Sequence, residues 1–184
     1  MSVSSPENLV VLTGGPGAGK TTLINYLNRL GYKTSPEVAR NVIETQQKHG
    51  GTALPWQDNE AYCQLMTDGS IRAWQDGMAL APAPVFFDRG LPDVLTHRRL
   101  YKLAKDSALI RAIETCRYRQ TVFILPPWPE IYHTDGARKQ NFAEATRTYD
   151  VLYQTYLDCG YTPVEIAKGP VEQRAEHILT LLSQ

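Results

Sequence analysis

The sequence predicts a three-layer α/β domain built on a mostly parallel sheet, and three observations carry that prediction. An apolar run at residues 9–12 leads into a glycine-rich turn, after which Leu23, Ile24, Leu27 and Leu30 recur at helical spacing. Further β-favouring runs, at residues 85–88 (VFFD) and 121–125 (TVFIL), are separated by stretches of helical periodicity. The length, 184 residues, suits one domain (residues 1–184) with a sizeable core. In such sheets ligands bind beyond the carboxyl ends of the strands. The loops after Thr13, Asp88 and Leu125 should therefore converge, together with Pro36 and Glu37.

Each element has its own signal. After the glycine-rich turn, residues 22–30 read as a helix closed by Gly31. Residues 32–34 form a short second strand. Ser35 then reads as an N-cap, with Pro36 and Glu37 in the first turn of a helix whose apolar face is Val38, Ala39, Val42 and Ile43. Residues 45–55 are polar and glycine-bearing and read as a loop. Residues 56–80 carry helical spacing, interrupted at Asp68-Gly69 and at Gly77, which fits one bent helix or two shorter ones. After the run ending in Asp88, helices are expected over residues 94–104 and 107–117. The strand at 121–125 is broken by Pro126-Pro127. A loop then leads into a long helix at 142–158, a last strand at 162–166 and a terminal helix at 171–182.

Composition narrows the function classes. Lysine plus arginine equals aspartate plus glutamate, 19 each, so no net field attracts nucleic acid or an anionic membrane. Cys63, Cys116 and Cys159 are odd in number and outside any C-x-x-C pattern, which suits a reduced, cytoplasmic chain. The opening residues have no basic region, and no run approaches the length of a membrane span.

The glycine-rich turn carries the strongest chemistry. Gly14, Gly19, Lys20 and Thr21 fill the fixed places of G-x-x-x-x-G-K-[ST], between a strand and a helix as that pattern requires. Gly15, Pro16, Gly17, Ala18, Gly19, Lys20, Thr21 and Thr22 are the candidate nucleotide-binding residues. Their backbone N–H groups would face phosphate oxygens, aided by the positive helix start. Lys20 would reach the β- and γ-phosphates, and the Thr21 hydroxyl would ligate Mg²⁺. A dinucleotide-type G-x-G-x-x-G fails, because its last place falls on Lys20.

Asp88 ends a hydrophobic strand and would hold Mg²⁺ opposite Thr21. Arg89 follows it, where an ATPase motor would carry a water-activating glutamate. An arginine there suits gripping an acceptor or its phosphate. Glu37 is the candidate general base for an acceptor hydroxyl, with Asp88 as the other carboxylate in reach. Arg40, one helical turn on, and Asp93 complete the acceptor side with Arg89. Arg138 follows the turn signal Asp135-Gly136 and would neutralise the transferring phosphoryl group from a hinged lid at about residues 127–147. Arg147 is a weaker candidate and Lys139 reads as surface. His49, His97, His133 and His177 lack metal-ligand spacing and receive no site. Trp128, beside the lid, stays open as a base-stacking residue.

Taken together, GGPGAGKTT, SPEVAR, VFFDRGLPD, FILPPW with DGAR, and GYTPVEI before VEQR resemble the NadR-type P-loop ATPase/kinase family over nearly the whole chain. That family is similar to the nicotinamide riboside kinase part of NadR and, more distantly, to nucleoside and nucleotide kinases. The resemblance implies a five-stranded parallel sheet in the order 2-3-1-4-5, with ATP and Mg²⁺ at the phosphate loop. It also implies adenine between the lid and residues 167–171. The appended adenylyltransferase and repressor parts of NadR have no counterpart here, so a role in NAD salvage does not follow. The expectation is a Mg²⁺- and ATP-dependent kinase with a small-molecule, nucleoside-like or nucleotide-like acceptor. The alternative is an ATP- or GTP-dependent switch, or slow NTPase, acting through a protein or lipid partner.

Overall fold

Strand β1 (Leu9–Gly14) lies at the centre of the sheet because its side chains are apolar on both sides. Leu9 and Val11 pack with Phe87 and Ile124 in one core, while Val10 and Leu12 pack with Phe86, Phe123 and Leu125 in the other. Alternate residues of a strand face opposite ways, so a run apolar throughout needs cover on both faces. The computed structural model describes residues 6–129 and 141–184.

Among these residues, β2 (Lys33–Ser35), β3 (Val85–Asp88), β1, β4 (Thr121–Leu125) and β5 (Thr162–Glu165) form one sheet in the order β2-β3-β1-β4-β5, with every pairing parallel. Helix α1 (Lys20–Arg29) packs against α7 (Val171–Leu182) on one face. The other face is covered by α2 (Val38–His49), α3 (Asn59–Ala79), α4 (Leu91–Leu100), α5 (Ser107–Thr115) and α6 (Asn141–Asp158). Phe86, Phe87 and Phe123 are each 0–2 % exposed. Burial of such side chains contributes roughly 1.5–3 kcal/mol apiece.

The architecture and strand order expected from the sequence are both present; several boundaries move. Helix α2 starts at Val38, so Pro36 lies outside it and Glu37 is its N-cap. Ser35 belongs to β2 and caps nothing. The region read as a loop from residue 45 is still helix to His49, since glutamine and lysine tolerate a helix well and only Gly50, at φ 68°, ends it. Residues 59–79 form one uninterrupted helix. Its two glycines serve packing: a Cβ on Gly69 would lie 2.6 Å from a Val38 methyl, and one on Gly77 would lie 2.5 Å from the Phe87 ring. Helix α4 begins three residues early because Leu91 and Pro92 fit its first turn, where the missing proline N–H costs nothing.

Candidate active site

The β1–α1 loop curls because Gly17 and Gly19 take φ of 71° and 78°. Gly14 must be a glycine for a different reason: a Cβ there would lie 2.7 Å from the Leu125 carbonyl oxygen. The carboxyl end of β4 is thereby held against the loop. Gly19 is the N-cap of α1 and no side chain caps the helix, leaving its first amides free of side-chain acceptors. Unpaired amides at the positive end of a helix favour an anion. Pro16, Gly17, Thr21 and Thr22 are exposed, whereas Gly15 and Ala18 are buried.

Lys20 is 7 % exposed and bonds the carboxylate of Asp88 at the end of β3. Burial, reinforced by the charge of Arg89, pulls its ammonium below the ordinary lysine value, and Asp88 opposes that pull. Thr21 and Asp88 supply a hydroxyl and a carboxylate, the hard oxygens that suit Mg²⁺ alongside water and phosphate. Among the described residues, no cluster of three His, Cys, Asp or Glu would hold a metal unaided.

Arg89 has φ 72°, unusual for a residue with a Cβ. Its surroundings fix it there. The backbone amide donates to Leu12 O at 3.0 Å, Nη1 donates to Gly14 O at 2.8 Å and to Asp93 Oδ1 at 3.2 Å, and Nε donates to Glu37 Oε1 at 3.2 Å. Burial works against the guanidinium charge, but the carboxylates of Asp93, Glu37 and Asp88 outweigh it and hold the pKa above the ordinary arginine value. Arg89 therefore ties the phosphate loop, α2 and α4 together.

Asp93 is the hub behind Arg89. Besides Arg89, it accepts from Thr13 Oγ1 at 2.6 Å, from Tyr156 Oη at 2.5 Å and from the Gly90 amide at 3.0 Å. With four donors on two oxygens, the carboxylate is occupied by the protein itself. Glu37 stands at the start of α2, with its carboxylate drawn to Arg89 and away from the helix amides. Arg40 does not join it: Glu37 precedes the helix, and Arg40 is exposed on α2, outside the cavity beside the loop. Arg147 is exposed on α6. Arg138 and Lys139 lie outside the described residues, as does most of the expected lid.

A cavity of about 200 Å³ opens beside this cluster. Glu37, Asp88 and Arg89 line it, with an apolar wall from Met66, Val94, Leu100 and Leu152. Tyr62, Ser70 and His97 also line it, and among the described residues the Tyr62 and Ser70 hydroxyls have no hydrogen-bond partner. His97 Nε2 lies 2.7 Å from Asn59 Oδ1 and its ring stacks on Tyr101. Burial, with the charge of Arg98, pushes its pKa down to about 4, so the ring is neutral near pH 7. Its Nε2 then donates to Asn59, leaving Nδ1 as an acceptor.

Residues 9–174 match the family described as AAA domain. The chain belongs to that family. Solved structures similar to this AAA domain include a NadR protein in complex with NR, at 20% identity and TM-score 0.67, over 94% of this chain and 49% of that one. Shikimate kinase from Acinetobacter baumannii in complex with shikimate matches at 18% and TM-score 0.52, covering 96% of this chain and 93% of that one. Deoxyadenosine kinase from M. mycoides, with products dCMP and dCDP, matches at 14% and TM-score 0.61, covering 95% and 98%. At these identities the shared property is the fold, and the AAA domain spans about half the length of the NadR chain. No curated protein matches the sequence.

Several residues of the cluster carry no motif. Thr13, Tyr62, Ser70, His97 and Tyr156 come from β1, α3, α4 and α6, and only the packing brings them to one place. In the sequence each was an unremarkable residue within a strand or helix pattern.

Proposed function

We propose that this AAA domain is a Mg²⁺- and ATP-dependent small-molecule kinase. The observation that carries the reading is the cavity bordered by Glu37, Asp88 and Arg89, two of which, Asp88 and Arg89, bond Lys20 and the Gly14 carbonyl of the phosphate loop. A nucleotide switch has no need of a pocket there, whereas a phosphotransferase must seat an acceptor in line with the terminal phosphate.

The loop amides, with Lys20, hold the triphosphate. To do so Lys20 leaves Asp88, which frees that carboxylate at the moment of nucleotide binding. Bound Mg²⁺, held through Thr21 and Asp88, would offset charge on the phosphate oxygens. The acceptor hydroxyl attacks the γ-phosphorus, the bond to the bridging oxygen breaks, and ADP leaves. The hydroxyl proton passes to Glu37 or Asp88. Arg89 orients Glu37 and the acceptor, Asp93 positions Arg89, and Arg138, outside the described residues, is assigned to the transferring group. Adenine lies against residues 167–171.

The apolar wall with a few hydroxyls and a neutral imidazole suits a nucleoside-like acceptor: a ring against Met66, Val94 and Leu152, and sugar hydroxyls toward the carboxylates. Shikimate and NR, named in the similar structures, are likewise small molecules bound on this fold. ATP consumption measured against a panel of nucleosides, nucleotides and sugars tests the reading. Stimulation well above basal hydrolysis by one acceptor supports it; a rate indifferent to every acceptor favours the switch.

A further inference from the structure

Among the described residues, one side-chain polar atom closed off from solvent lacks a hydrogen-bond partner: Nε of Arg174. Arg174 stands in the first turn of α7 and is 6 % exposed. Its Nη1 donates to the Gly19 carbonyl at 3.3 Å, and its guanidinium lies 5.3 Å from the centre of the Trp128 ring. No carboxylate pairs with it among the described residues. Arg98, equally buried, shows the contrast, since Glu60 receives it through two nitrogens and Ala104 O through two more contacts. Burying a charge without a counterion is unfavourable before compensation. A ring face and one carbonyl are weak compensation. Burial accordingly pushes the Arg174 pKa down, with no charged group opposing it.

Its location explains why such a charge would be kept. Gly19 is the N-cap of α1, so the guanidinium touches the residue from which the phosphate-binding amides start. Trp128 comes from the segment after β4.

We propose that Arg174 is a positioning residue of the nucleotide site. It holds the Gly19 carbonyl, is itself held against Trp128, and adds a desolvated positive charge behind the loop that only a bound polyphosphate offsets. The proposal rests on the kinase reading for the identity of the ligand, a nucleoside triphosphate. Two consequences separate it from a merely structural role. The energetic benefit should grow with the negative charge of the ligand, and the apo protein should lose nothing when the charge is removed.

The experiment is calorimetric titration of wild type, Arg174→Met and Arg174→Lys with ATP, ADP, AMP and adenosine, with thermal melts of each apo protein. Arg174→Met should bind ATP about tenfold more weakly, ADP less weakened than ATP, and adenosine within about twofold of wild type. Its apo Tm should be equal to or above that of wild type, because methionine fills the space without an unpaired charge. Arg174→Lys, which keeps the charge, should retain ATP affinity within about threefold. A loss equal for all four ligands, an apo Tm several degrees lower with unchanged ATP affinity, or a lysine variant as weak as the methionine variant each overturns the proposal. Should Arg174→Met not fold, the charge is needed for structure and the proposal also fails. If wild type binds no nucleotide, the kinase reading fails first; if it binds and Arg174→Met matches it, the inference about Arg174 fails alone.

Discussion

Replacing Asp93 by asparagine changes almost no volume and should nevertheless cost much of the stability of this protein. Oδ1 accepts from Thr13 and Arg89, and Oδ2 accepts from Tyr156 and Gly90. Asparagine converts one of these oxygens into an N–H donor. The hydroxyls of Thr13 and Tyr156 can rotate and accept instead, but the Arg89 guanidinium and the Gly90 amide cannot. Either orientation of the new amide therefore leaves one N–H facing another. A hydrogen bond to a charged group contributes about 1.5–3 kcal/mol, and one-sided loss of a buried ion pair costs about 3–5 kcal/mol. Arg89 is 26% exposed, so water recovers part of its lost pairing. Both considerations put the cost of Asp93→Asn at about 3 kcal/mol, or a Tm lower by roughly 6–12 °C for a chain of this size. Tyr156→Phe removes one donor to the same carboxylate and should cost about 1.5–3 kcal/mol. Urea and thermal melts followed by far-ultraviolet circular dichroism measure both. An Asp93→Asn variant within 1 kcal/mol of wild type would refute the claim that this carboxylate organises the site.

The other predictions concern distinct parts of the molecule. Gly77→Ala should destabilise by about 1–2 kcal/mol despite the better helix former, since its Cβ meets the Phe87 ring at 2.5 Å; a more stable variant in urea contradicts this. His97 has a folded pKa of about 4 against 6.5 in the unfolded chain, so the unfolded state takes up the proton first. Its contribution is complete above pH 6.5 and is lost as pH falls from there toward 4. Stability measured across that window should decline, and His97→Gln should flatten the decline. Lys20→Ala should abolish nucleotide binding by calorimetry, and unchanged affinity would remove the basis for the phosphate-loop assignment.

How far the sequence revealed this depended on the range of the forces involved. The phosphate loop was legible because its requirements are local: glycines where the backbone turns, an apolar strand before it and a helix after it. The parallel sheet was legible because strands covered on both faces must be apolar throughout. Asp88 and Arg89 were legible as the end of a buried strand at the carboxyl edge of the sheet. Helix α3 was harder to read, since Gly69 and Gly77 look like breaks until Val38 and Phe87 are seen against them. Glu37 was read into the first turn of α2 and instead caps it, bonding Arg89 fifty-two residues away in the chain, while Arg40 lies exposed on α2. Asp93 looked like a ligand residue, and only the Tyr156 and Thr13 hydroxyls show how fully the protein occupies it. Arg174 stood in the VEQR motif without a role, because a missing counterion is visible only in three dimensions.

In the proposed reaction, phosphate leaves ATP for a molecule seated beside Glu37, Asp88 and Arg89. Its most direct test follows the label from γ-³²P-ATP in the presence of the acceptor that most stimulates turnover, for wild type and for Glu37→Gln. With wild type, label is expected in a phosphorylated small molecule, and Glu37→Gln should lose that product while ATP affinity is kept. Label found only in inorganic phosphate, whatever acceptor is supplied, would contradict it.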